Sequence, residues 1–242
     1  MLIDHAAFAF EPQLNAISPW LYIACRMVGR LAFPLFALGI AEGAVKTSSP
    51  RKYLVRVALF TLIAQIPYSL MLALRADPGS VMTVFVFGKS IALYKGLSVM
   101  ATLLFGLVAC LGVKMNKPLY TALALAAAYL IDSAIGMDYG FLGVVFVFAL
   151  YLSRASRAGL ALTLVLFAAC FYFRPLIDFC YGIVRGRAAV TKGILLFAAM
   201  ALSAVPAALY NGKKGPNTKL LFYCFYPAHM LVIWAASCII NK

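Results

Sequence analysis

The chain has 242 residues, of which 65% are hydrophobic and 12% charged, and its formal net charge is +14. A soluble domain is usually about a quarter charged, so this composition argues against a cytosolic globule and predicts a polytopic α-helical membrane protein. The apolar runs are continuous rather than alternating, which argues against a β-barrel, and the lysines and arginines fall mainly between those runs, as topology signals do rather than a nucleic-acid-binding surface.

The first segment, residues 1–10, carries Asp4 and His5 side by side in a run of leucine, isoleucine, alanine and phenylalanine. It is shorter than the roughly 20 residues a spanning helix needs. An ionisable residue inside the membrane is by default a candidate functional residue. Glu11-Pro12 is expected to end the segment, with a polar loop over 11–19. The second helix, 20–44, has Trp20 and Tyr22 at one interface and Glu42 near its other end. Arg26 and Arg30 are four residues apart and share a face. Pro34 should bend this helix just beyond Arg30. After the basic stretch Lys46, Arg51, Lys52 comes a third helix, 53–75, with Arg56, Gln65 and Pro67.

Asp77-Pro78-Gly79 reads as a turn, and the short apolar run Val81–Phe87 as a re-entrant or interfacial piece. Further helices are expected at 96–113, 118–134, 139–153, 158–174, 189–209 and 219–240. The expected fold class is therefore all-α: one transmembrane helix bundle of about nine segments, the first one short, over residues 1–242. No internal repeat is evident. The six cysteines form no CxxC pair and read as packing residues, and no metal is expected.

Alternate threading collects Lys46, Arg51, Lys52, Arg56, Lys114, Lys117, Arg154, Arg157, Lys213, Lys214 and Lys219 on one side, crowded into short loops. That side is assigned to the cytoplasm. At 1.5 Å per residue, Arg30 lies about 15 Å inward of Trp20 and His229 about 15 Å outward of Lys219, so both are near the midplane, and His5 falls in the outer half. Their depths are compatible with one site.

A midplane arginine keeps its proton and must pair with an acid or line a watery cavity. Arg26 and Arg30 could pair with Glu42, Asp4 or Asp138 for packing, or grip an anion. Asp138-Tyr139-Gly140 lies at an outer helix start, where a carboxylate also suits the helix dipole. Tyr210–Gly215 reads as a tight cytosolic turn. The aromatic cluster before His229 includes Tyr226, and Pro227 frees a backbone carbonyl one turn earlier, so that His229 could line a cavity.

Six stretches together resemble the TraX family: MLIDH at 1–5, GRLAFPLFALGIAEG at 29–43, RKYLVRVALFTLIAQIPYSL at 51–70, DYGFLGV at 138–144, YNGKKG at 210–215 and FYCFYPAHML at 222–231. The resemblance implies amino-terminal acetylation of conjugative pilin, and a likeness to transmembrane acetyltransferases that carry acetyl groups from cytosolic acetyl-CoA to extracytoplasmic sugars. It matches His5, Arg30, Asp138 and His229 to the family's polar positions. Ser98 stands where asparagine would be expected. The catalytic set is then His5, Asp4, His229 and Arg30. His5 would be the base, His229 would position the thioester or serve as base instead, and Arg30 or a backbone amide would face the oxyanion. The substrate-binding set is Arg26, Glu42, Arg51, Arg56, Asp138, Tyr139, Asn211, Lys213 and Tyr226.

Acetyl-CoA is the expected donor, and the remaining partners are membrane lipids and an acceptor protein or glycan at a bacterial inner membrane. The competing expectations are a transporter or flippase for a small anion or lipid-linked sugar, and a non-catalytic scaffold for pilus assembly.

Overall fold

The computed structural model describes residues 1–86, 89–185, 190–212 and 219–240. In chain order it contains α1 (Leu2–Ala9), α2 (Glu11–Ile17), α3 (Pro19–Arg30), α4 (Ala32–Lys46), α5 (Pro50–Ala73), β1 (Val81–Val86), β2 (Lys89–Tyr94), α6 (Val99–Lys114), α7 (Pro118–Ile135), α8 (Gly140–Ser153), α9 (Arg157–Phe171), α10 (Phe173–Val184), α11 (Lys192–Ala201), α12 (Ala204–Leu209) and α13 (Lys219–Ile240). Among the described residues, helices occupy most of each expected stretch, but not as nine spans. Five are long and apolar enough to cross a membrane: the continuous pair α3–α4, then α5, α7, the pair α11–α12, and α13. The bent pair α9–α10 makes a sixth if taken as one span, while α6 and α8 are apolar but shorter. These are the helices of a membrane protein.

Three regions depart from the expected pattern. The polar loop over 11–19 is instead mostly the helix α2, with Pro12 in its first turn. Proline ends a preceding helix, yet its fixed φ suits the first turn of the next one. The apolar run at 81 is no re-entrant helix but one arm of an antiparallel hairpin, with Val81 opposite Tyr94 and Val84 opposite Ile91. Its valines and threonine favour a pleated strand, and Phe87 lies outside the described residues. The expected connection over 174–188 is largely the helix α10, set at 82° to α9. Phe173, Ile177, Tyr181 and Val184 are exposed apolar side chains spaced as one helical face, and Ile183 is exposed beside it. A break in the helix stands where the bend is expected. The helix breaks at Leu31, next to Arg30, whose carbonyl would have bonded the amide that Pro34 lacks.

The helices close on small residues, as membrane helices do. Ala37, Ala41 and Ala44 form a fully buried stripe along α4. A Cβ on Gly106 of α6 would stand 2.6 Å from Val147 of α8. Outward positions such as Leu59, Leu62, Ile66, Leu123 and Leu130 are apolar and exposed.

Polar contacts tie the helix ends into two faces. On one, Lys114 Nζ donates to the carbonyls of Ala44, Val45 and Thr47 at 2.8, 2.8 and 2.7 Å. On the same face Lys46 Nζ reaches the Tyr210 hydroxyl at 2.7 Å and the Gly212 carbonyl at 2.8 Å. On the other, Arg75 pairs with Glu11 at 3.3 Å and Leu97 bonds the Gly136 carbonyl at 3.0 Å.

α1 fits against α3 because residue 29 is glycine: a Cβ there would stand 2.2 Å from Cβ of Asp4. Gly29→Val is expected to push α1 off α3 and lower stability by about 1–3 kcal/mol. Melting of the detergent-solubilised protein checks this, with Gly79→Ala, whose Cβ meets open space, as the unchanged control.

Candidate active site

The site begins at the α1–α3 contact. Asp4 Oδ1 lies 2.6 Å from Arg26 Nη1 and 3.7 Å from Arg30 Nη2, and Arg26 also donates to the Asp4 carbonyl at 3.3 Å. One carboxylate thus answers two guanidiniums that cannot lose their protons, and Asp138 is the second acid lining the same cavity.

The next residue, His5, points about 100° further round the helix, given 3.6 residues per turn. That direction is toward α13, where His5 Nδ1 meets His229 Nε2 at 2.9 Å. His229 Nδ1 in turn lies 2.6 Å from the Phe225 carbonyl. A carbonyl can only accept, so His229 carries its proton on Nδ1 and, when neutral, offers a lone pair at Nε2. His5 must then donate from Nδ1, which leaves a lone pair on His5 Nε2. The Phe225 carbonyl therefore sets both tautomers and makes His5 Nε2 the basic atom of the pair.

His5 opens into a cavity of about 140 Å³ that is also lined by Asp4, Arg26, Arg30, Tyr68, Asp138 and Tyr139. Asp138 and Tyr139 arrive on a sharp turn in which Tyr139 has φ +62, a left-handed conformation unusual for a tyrosine. Several contacts hold that turn. Asp132 accepts from the amides of Met137 and Phe141 at 2.9 and 2.7 Å. The Asp138 amide bonds the Leu97 carbonyl at 2.9 Å, the Thr102 hydroxyl donates to the Asp138 carbonyl, and the Tyr139 ring stacks on Phe33 at 3.7 Å.

Tyr226 lies edge-on to both histidines, its ring 6.4 Å from that of His5 and 5.7 Å from that of His229. It also lines a second, apolar cavity of about 510 Å³, which shares Met1, Phe33 and Val99 with the first.

The sequence-derived set divides in two. His5, Asp4, His229, Arg30, Arg26, Asp138, Tyr139 and Tyr226 come together around these cavities. Glu42 does not; it pairs with Lys46 at 2.6 Å, roughly 18 Å along the helix from Arg30 at 1.5 Å per residue. Arg51 is exposed on the same basic face, Arg56 is half-buried there, and Asn211 lies beside Tyr210 and Gly212, which Lys46 binds. Lys213 lies outside the described residues. The sequence reading overlooked Tyr68, a tyrosine among many, and gave Asp132 no role. An acid in the last turn of a helix opposes the helix dipole, and that misfit was the available signal that Asp132 has a special partner.

Asp4→Asn leaves Arg26 and Arg30 buried without their carboxylate and is expected to cost about 3–5 kcal/mol. The loss should appear as a lower melting temperature in detergent. It should be partly recovered in the Asp4→Asn/Arg26→Gln double variant, which removes one of the stranded charges.

A family model described as "TraX protein" matches residues 1–237. The chain is also similar to a protein of Dichelobacter nodosus named "Probable fimbrial assembly protein FimC, serogroup H1", with 28% identity over 98% of this chain and 91% of that protein. No solved structure matches it significantly.

Proposed function

The chain belongs to the TraX family, and on that premise we propose that it is a membrane-embedded acetyltransferase, moving an acetyl group from cytosolic acetyl-CoA to an acceptor at the outer half of the bacterial inner membrane. The observation that carries this reading is the relay from the Phe225 carbonyl through His229 to His5, which leaves an unprotonated nitrogen on a histidine that lines the same cavity as Arg26 and Arg30.

That arrangement supplies what acyl transfer requires. His5 Nε2 takes the proton of the acceptor amine or hydroxyl as it attacks the thioester carbonyl. The new bond to the carbonyl carbon forms and a tetrahedral oxyanion develops beside Arg30, whose charge favours it. Collapse breaks the carbon–sulfur bond, and the thiolate leaves with the proton that His5 had taken. His229 holds the His5 ring in the productive tautomer, the role of an orienting partner rather than of the base. The donor's phosphates suit the basic face, where Arg51, Lys52 and Arg56 stand. The Dichelobacter relative is named for fimbrial assembly, and this favours the amino terminus of a pilus subunit as acceptor over a sugar.

The test compares envelope proteins and surface glycans, by mass spectrometry, from cells with the wild-type chain, with His5→Ala, with His229→Ala and without the chain. The wild type is expected to add an acetyl group that is missing without it. His5→Ala should lower the rate of that transfer by about 10²–10⁴-fold, and His229→Ala by less. Undiminished acetylation in His5→Ala would overturn the assignment of the base. Accumulation of a small anion in vesicles without acetyl-CoA would favour a transporter.

A further inference from the structure

The apolar cavity is lined by two side chains with hydroxyls, Tyr223 and Tyr226. Tyr223 is half-buried and stacks on Phe60 at 4.2 Å, one turn along α5 from Arg56. Tyr226 is 5% exposed, and among the described residues its hydroxyl has no hydrogen-bond partner. Both nitrogens of the neighbouring His229 are taken, one by Phe225 and one by His5. A buried hydroxyl without a partner destabilises a fold, and phenylalanine would fill the same space without that cost. The group is thus a donor held ready, at the place where the apolar cavity reaches the histidine pair.

We propose that the Tyr226 hydroxyl receives the carbonyl oxygen of the acyl donor and, as the tetrahedral intermediate forms, donates its hydrogen bond to the oxyanion. The proposal rests on the acyl-transfer reading and adds a residue that touches the reacting atoms. Arg30, 3.7 Å from the Asp4 carboxylate and with its buried Nε unpartnered among the described residues, supplies positive potential from the polar cavity, while Tyr226 supplies a directed bond from the apolar one. In a site shielded from water, such a bond strengthens as charge builds on the oxygen. The proton stays on Tyr226 throughout, and the one proton that moves travels from acceptor to His5 to thiolate.

The experiment uses the full-length protein in lipid nanodiscs, wild type against Tyr226→Phe. The melting temperature should be unchanged or higher in Tyr226→Phe, because no partner is lost. Acetyl transfer from acetyl-CoA should fall about 10²–10³-fold at saturating donor, with KM for acetyl-CoA raised about tenfold at most. A ketone analogue of acetyl-CoA, with methylene in place of sulfur, should bind Tyr226→Phe about tenfold more weakly than wild type, while coenzyme A itself binds both alike. A lower melting temperature would show that the hydroxyl has a structural partner and would overturn the proposal. Equal binding of the ketone by both proteins would overturn it as well, whether or not transfer is measured. A wild type that transfers no acetyl group would sink the acyl-transfer reading separately, because the melting and binding comparisons do not depend on turnover.

Discussion

The Asp4–Arg26 ion pair is the contact on which the site depends. An isolated charge inside a bilayer must find its opposite or reach water. α1 has only eight residues, too few to hold a helix in place by its own propensity. Its carboxylate anchors it to α3, and Gly29, Ala7 and Ala9 supply the small surfaces that let the two backbones approach. With Asp4 fixed, the rotation between neighbouring helical residues sends His5 to His229. Pairing of charge and placement of the histidine pair are consequences of one dipeptide.

The rest of the bundle keeps its ionic chemistry on its faces. Lys114 closes the end of α4 by meeting two of its carbonyls and that of Thr47 just after it, which satisfies both the stranded acceptors and the negative end of the helix dipole. Lys46 joins Glu42, Tyr210 and Gly212 on the same side. Between this basic face and the arginine pair, the cavity wall is apolar apart from its tyrosines. Charge is therefore concentrated at the basic face and around the arginine pair, where the proposed anionic donor and reacting carbonyl would each need it.

Much of this was legible in the amino-acid order. The chain carries two histidines, one near each end, and depth counting along the helices put them at compatible levels. The break beside Arg30 followed from the missing amide of Pro34. Glu42 was misjudged because an acid near a basic helix end can serve its own neighbour, and Lys46 at i+4 was close enough to take it. The hairpin after α5 and the helix α10 escaped because short apolar runs carry no decisive period. The tautomers of the histidine pair could not be read from sequence at all, since they depend on which atom of Phe225 faces which nitrogen.

His5 and His229 are separated by 224 positions in the chain. His5 lies on α1 and His229 on α13, so the proposed base is made long before the residue proposed to orient it. A nascent chain carried only as far as α12 contains both members of the ion pair but only one member of the relay. Contacts this distant in sequence are slow to form, so the relay, and with it the proposed chemistry, waits on the docking of α13 against α1.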